Sequence, residues 1–198
     1  MAVAGKLERI AKVGFAACVV AASAACDDDL GLAAFAVRDP VELTVYAMNG
    51  TAQTLPAGLD IRSLQTVRID PSWAFDLAFD LNAANEIIVH TVRSVSSELV
   101  SLPRVGLQTS ELTFDQLIDA PTSGFAYDSL LTVPVGKTIV VDKVDPSCNR
   151  FGGAFLGFNI RAKFVVDSVS ASRRAIYLKV LSNPNCGFKS LEPGEPKD

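Results

Sequence analysis

The segment Trp73-Ala74-Phe75-Asp76-Leu77-Ala78-Phe79-Asp80-Leu81 puts every large apolar side chain at an odd position and every acid at an even one. A period of two belongs to an extended chain, whose successive side chains point to opposite faces. The pattern predicts a half-buried strand, with Trp73, Phe75, Leu77, Phe79 and Leu81 inward and Ala74, Asp76, Ala78 and Asp80 toward solvent. Val41-Glu42-Leu43-Thr44-Val45-Tyr46-Ala47 repeats it and stops at Asn49-Gly50, a reverse-turn pair. Residues 158–166 and 175–180 alternate likewise on either side of a turn over Ser168 to Arg174. They predict a hairpin whose solvated face carries Arg161, Lys163 and Lys179. Further strands are expected at 66–69, 86–95, 105–109, 130–135 and 137–144.

One stretch, Leu112 to Ile118, has helical spacing, with Phe114, Leu117 and Ile118 on one side and Pro121 to end it. Residues 30–38 fit a helix or a strand equally well. The ten prolines fall mostly between strand candidates, and 22 valines favour pleated structure. Many short strands with turns between them, and no long helices, define an all-β fold. An antiparallel β-sandwich or a partly closed barrel, with at most one short helix, is expected. One β-domain should span 41–186, with 187–198, which holds Pro193, Gly194 and Pro196, as a polar C-terminal tail.

Ahead of this domain, Met1 to Ala25 has the order of an export signal: basic residues to Lys12, an apolar run from Val13 to Ala22, then Ser23-Ala24-Ala25. The apolar stretch is shorter than the roughly 20 residues a permanent membrane-spanning helix needs. Ser23-Ala24-Ala25-Cys26 resembles the lipobox of bacterial lipoproteins, which implies that Cys26 receives a diacylglycerol and becomes the new N-terminus. Ser23 stands where that family usually carries Leu, so ordinary cleavage after an Ala-Ser-Ala or Ser-Ala-Ala site is the competing reading. Asp27-Asp28-Asp29 then opens a solvated spacer over 26–40.

With Cys18 in the signal and Cys26 lipidated, Cys148 and Cys186 remain, and an even remainder in an oxidising compartment predicts one disulfide. The hairpin geometry agrees, because antiparallel strands bring residues near 150 and near 184 out at the same end. Two unpaired buried thiols are the alternative. A zinc site has neither a Cys-x-x-Cys nor a nearby histidine to build on.

Removing Lys6, Arg9, Lys12 and Glu8 from 18 basic and 22 acidic residues leaves 15 and 21, a net charge of −6 over 173 residues. Such a chain lacks the basic patch that binds nucleic-acid phosphates. Gly136-Lys137-Thr138 has Leu131 where a phosphate-binding loop needs glycine, and strand-forming valines surround it, so no nucleotide partner is expected. The glycine-rich run 151–158 precedes a strand and is not a dinucleotide fingerprint. His90, the one histidine, lies in a strand with no Gly-x-Ser-x-Gly serine to serve. Asp76 and Asp80 would lie about 13 Å apart along a strand, outside the spacing of glycosidase carboxylate pairs. No catalytic residue, metal ligand or cofactor is assigned.

Two tyrosines, Tyr46 and Tyr177, alternate with inward residues and are the candidate ligand contacts. The stretches Arg68-Ile69-Asp70-Pro71, Phe75 to Asp80 and Asn183-Pro184-Asn185-Cys186-Gly187-Phe188 are similar to uncharacterised envelope proteins of environmental bacteria. That resemblance implies a location and no activity. The expected role is a non-catalytic, lipid-anchored, extracytoplasmic β-domain with structural or interaction duties, its partners the membrane through the lipid and an envelope protein. A glycan- or ligand-binding envelope module is the alternative, and a secreted soluble form the alternative location.

Overall fold

The computed structural model describes residues 38–95, 101–150 and 159–194. Among these residues eleven strands form two open antiparallel sheets, with no closed barrel. In chain order they are β1 (Val41–Tyr46), β2 (Gly58–Asp60), β3 (Gln65–Val67), β4 (Leu77–Leu81), β5 (Ile87–Thr91), β6 (Arg104–Thr109), β7 (Ala126–Tyr127), β8 (Leu130–Val133), β9 (Thr138–Val144), β10 (Asn159–Ser170) and β11 (Ala175–Asn183). A six-stranded sheet runs β1-β11-β10-β9-β6-β7 and a five-stranded sheet runs β3-β2-β4-β5-β8. One short helix, α1 (Val92–Val95), follows β5, and a 3₁₀ turn (Pro146–Arg150) follows β9.

Alternation selects the faces that meet. Val105, Leu107, Ile139, Val141, Phe164, Val166, Ile176 and Leu178 from the larger sheet join Leu59, Leu77, Phe79, Leu81, Ile87 and Val89 from the smaller in one core. Phe79 and Phe164 meet edge to face, with ring centroids 5.9 Å apart. The hairpin is longer than its alternating core: the ladder runs from Arg161 opposite Asn183 to Ser170 opposite Ala175. A register shift between Val166 and Ser168 lets the pairing continue into the region read as turn.

The nine-residue strand expected at 73–81 forms only over Leu77–Leu81. Trp73 takes a left-handed backbone (φ 53°) and closes a turn by donating its N–H to Asp70 O. This bend resets the alternation, so Asp76 is buried at 3% exposure instead of facing solvent. Ala78 is also buried, because Ile69 and Phe75 crowd the same face beside its partner Gly58.

No helix forms at Leu112–Ile118. The segment is an irregular strap across the outer face of the six-stranded sheet. Its Phe114, Leu117 and Ala120 pack on Val140, Val165, Leu181 and Leu191 in a second apolar cluster. Residues 187–194 of the expected polar tail complete this layer, with Phe188 and Leu191 buried. Leu191 N–H donates to Ile118 O at 2.6 Å and Ala120 N–H to Lys189 O at 2.9 Å. Both faces of the larger sheet are therefore covered over much of their area.

Candidate functional site

Three groups of polar side chains come together, and each owes its place to the strand it stands on. Lys143 projects from β9 into the sandwich, because its neighbours Val141 and Ile139 set that face inward. Its ammonium lies 2.9 Å from Asp76, 3.6 Å from Asp145 and 4.0 Å from Asp60. Asp76 also accepts Ile61 N–H at 2.9 Å. Burial pushes the Asp76 carboxyl above the ordinary value, and the Lys143 charge opposes that push. Burial would likewise raise Asp145, but bonds from the Ser147 hydroxyl and amide, with the charges of Lys143 and Arg62, outweigh it and hold that carboxyl low. Arg62 crosses from the other sheet to Asp145 at 3.2 Å and Ser147 at 2.5 Å. Beside this cluster, Cys148 and Cys186 are joined as a disulfide with a Cα separation of 5.5 Å.

On the outer face of the six-stranded sheet, Tyr127, Gly106, Asp142 and Arg161 occupy one row across four strands. Asp142 is fully buried there, accepting from the Tyr127 hydroxyl and from Asn159 Nδ2 at 2.6 Å and pairing with Arg161. Lys163, read as a solvated hairpin lysine, is 1% exposed. Its ammonium donates to Phe114 O at 2.6 Å and Leu117 O at 2.8 Å and lies 4.5 Å from the Phe114 ring centre. Arg161 is likewise drawn under cover, whereas Lys179 stays partly exposed and pairs with Asp115 at 3.0 Å.

Between the strap and strands β6 and β9 lies a groove of about 300 Å³. Gln108 and Val140, paired across the two strands, form its floor, and Leu117, Ala120 and Pro121 line the strap side. Glu111 and Asp119 stand at its rim. A second groove of about 260 Å³, lined by Met48, Thr51, Gln53 and Leu55 among others, opens by the turn after β1.

Tyr46 and Tyr177 fall on one face of the β1–β11 ladder: Tyr177 opposes Thr44 and Tyr46 opposes Ala175, so the two are diagonal neighbours. Both are half-buried. Cys26 lies outside the described residues. His90 opposes Ala78 and Leu130 on the outer face of the smaller sheet, where burial lowers its pKa against the pull of Asp80. Asp80 binds Asn49 and Arg174, away from Asp76 in the interior. Among the described residues no three metal-binding side chains cluster, and no helix is long and apolar enough to cross a membrane. Of the buried polar groups gathered around Lys143, Asp142 and Lys163, the sequence pattern put Asp76, Arg161 and Lys163 on solvated strand faces, and it assigned no role to Lys143 or Asp142.

Fold and site together define a disulfide-stapled antiparallel sandwich whose outer sheet face carries a strap. No protein-family model, no curated protein and no solved structure matches this chain.

Proposed function

We infer that this chain is a lipid-anchored, extracytoplasmic β-domain with a non-catalytic structural or interaction role. The observation that carries the reading is the Cys148–Cys186 disulfide, since such bonds persist in oxidising compartments and are rare in the cytosol. The export-type N-terminus ending at Cys26 supplies the route and the anchor. The internal polar clusters support the non-catalytic part: Lys143, Asp142 and Lys163 are each bonded to groups of neighbouring segments, so their chemistry goes into holding strands and strap together. Detergent-phase partitioning of the exported protein tests the anchor. Wild type should enter the detergent phase and Cys26→Ser should leave it, and a wild-type protein that stays in the aqueous phase overturns the anchor.

A glycan-binding role is the second reading, supported by the diagonal placement of the half-buried Tyr46 and Tyr177 on one sheet face. Retention on immobilised cell-wall polysaccharide that is lost in Tyr46→Ala and Tyr177→Ala would favour it.

A further inference from the structure

We propose that Lys143 and Asp76 join covalently, the lysine amine condensing with the side-chain carboxyl to form an amide that ties the two sheets together inside the sandwich. This goes beyond the anchored-module reading and needs neither the lipid nor a ligand. It is a single reaction of the chain on itself, with no turnover.

Position sets up the bond. Lys143 Nζ lies 2.9 Å from Asp76 Oδ1 and 2.9 Å from Oδ2. Equal approach to both oxygens leaves the nitrogen about 3 Å from the carbon between them, within the roughly 3–3.5 Å of a near-attack geometry. Both backbones are held. Lys143 stands on β9 between Val105 of β6 and Ile160 of β10, while Asp76 donates its N–H to Leu59 O and accepts Val92 N–H, each at 2.9 Å. Groups fixed in this way react as though at about 10⁵ M or more, far above any concentration that free lysine and aspartate reach in water.

Burial supplies the drive. The Asp76 and Lys143 side chains are 4% and 9% exposed, so the ion pair keeps two charges out of water. An amide in their place is neutral and releases the product water to solvent, which removes that penalty. Burial also pushes the Asp76 carboxyl upward, toward the protonated form that an amine can attack. The other carboxylates near Nζ are committed elsewhere: Asp60 accepts Arg62 N–H and the Ser63 hydroxyl, and Asp145 accepts Ser147 and Arg62.

Neighbouring groups complete the chemistry. A proton passes from the ammonium to Asp76 Oδ1, leaving an amine and a carboxylic acid. The nitrogen lone pair then forms a bond to Cγ, and the carbonyl electrons move onto Oδ2, where Ile61 N–H at 2.9 Å holds the developing negative charge. Asp145, 3.6 Å from Nζ, takes a second proton from the nitrogen and passes it to Oδ1. Despite its burial, Asp145 is held ionised by Ser147, Lys143 and Arg62, and so can receive that proton. The Cγ–Oδ1 bond breaks, Oδ1 departs as water, and the electrons on Oδ2 restore the carbonyl. One ammonium and one carboxylate give one amide and one water, with nothing oxidised or reduced. The ion pair is the state before reaction, and Lys143→Met strands the Asp76 carboxyl whichever state it starts from.

The test digests the mature protein with trypsin after unfolding, reduction and alkylation, and reads the peptides by mass spectrometry. Wild type should give residues 69–93 joined to 138–150, one water lighter than the two peptides together and uncut at Lys143, because an acylated lysine is not a tryptic site. Lys143→Arg and Asp76→Ala should give 69–93, 138–143 and 144–150 as separate peptides. Asp145→Asn keeps the side chain's size but cannot carry the proton, and should lower the joined fraction about tenfold or more in a protein that still unfolds cooperatively in urea. In SDS with reductant, wild type should run ahead of Lys143→Arg, because the tie closes a loop of 67 residues. Separate peptides from folded wild type with no joined species would overturn the proposal, as would a joined species that persists in Asp76→Ala. A joined fraction undiminished in Asp145→Asn would overturn the part given to Asp145.

Discussion

The Tyr127 hydroxyl donates to the carboxylate of Asp142 across an intervening strand, because the residue between them in the row is Gly106. Strand neighbours lie nearly 5 Å apart, so a side chain on the middle strand would stand in the path of the ring. A Cβ at position 106 would come within 2.8 Å of Phe125 Cβ and 3.0 Å of the Tyr127 ring. Gly106→Ala should therefore displace both aromatics and cost about 1–3 kcal/mol. Tyr127→Phe should cost about 1.5–3 kcal/mol in wild type, the range for a bond to a charged group, and much less in the Gly106→Ala background. Denaturant midpoints of the four proteins in the cycle check this, and additive losses would show that the glycine does not serve the bond.

The two sheets are joined in their interior by Lys143 and Asp76, one from each side. Removing one partner of a buried pair leaves an uncompensated charge, whereas removing both does not. Lys143→Met should destabilise the domain by about 3–5 kcal/mol. Lys143→Met with Asp76→Leu should recover a large part of that loss. Urea unfolding of both variants decides it, and a double variant weaker than the single would refute the pairing as the source of the cost.

Closing 38 residues with Cys148–Cys186 restricts the unfolded chain by about 4 kcal/mol on the chain-entropy account. Reduction should lower the urea midpoint by the corresponding amount, and Cys148→Ala with Cys186→Ala should abolish the dependence on reductant. Equal midpoints with and without reductant, at confirmed reduction, would contradict it.

Much of the sandwich was legible because alternation reports which residues share a face. Val41 to Tyr46 and the long hairpin were placed on sequence pattern alone, and the hairpin's antiparallel course put Cys148 and Cys186 at one end. Alternation does not report what covers the opposite face. Lys163 and Arg161 alternate with apolar residues as solvated side chains do, yet a strap from 45 or more residues upstream lies over Lys163. Short elements were lost for a different reason: β2 contains Gly58 and Asp60, residue types depleted in strands.

The missed strap shows how tertiary bonds override local spacing. Phe114, Leu117 and Ile118 have helical spacing, but a helix would need the Phe114 and Leu117 carbonyls for its own ladder. Four residues after Leu117 comes Pro121, which has no N–H to give. Lys163 takes both carbonyls, and Leu191 N–H takes that of Ile118. The apolar residues Phe114 and Leu117 still reach a core, without a helix to carry them.

Lys163 also makes the stability of the strap depend on pH in a direction opposite to that of an ordinary salt-bridged lysine. Burial lowers its pKa from 10.5 to about 8, with Asp115 of the strap opposing the shift and Lys179 of β11 adding to it. Strand β9 presents Val140 here and the C-terminal segment Leu191, neither of them charged. Between about pH 8 and 10.5 the unfolded chain holds a proton on Lys163 that the folded chain has released. More protons bound in the unfolded state means that stability rises with pH across this window. The strap need not lift when the proton leaves, since a neutral amine keeps two N–H groups for the two carbonyls. Lys163→Met leaves Phe114 O and Leu117 O without their donor, at about 1–3 kcal/mol for each buried group left unpaired, a loss partly offset at pH 7 because the variant no longer buries a charge. It should also remove a share of the rise between pH 8 and 10.5. Urea midpoints of wild type and Lys163→Met at pH 7, 8, 9 and 10 measure both effects. A stability difference between the two proteins that stays constant from pH 8 to 10, or narrows as the pH rises, would show that Lys163 does not titrate in the folded strap as inferred.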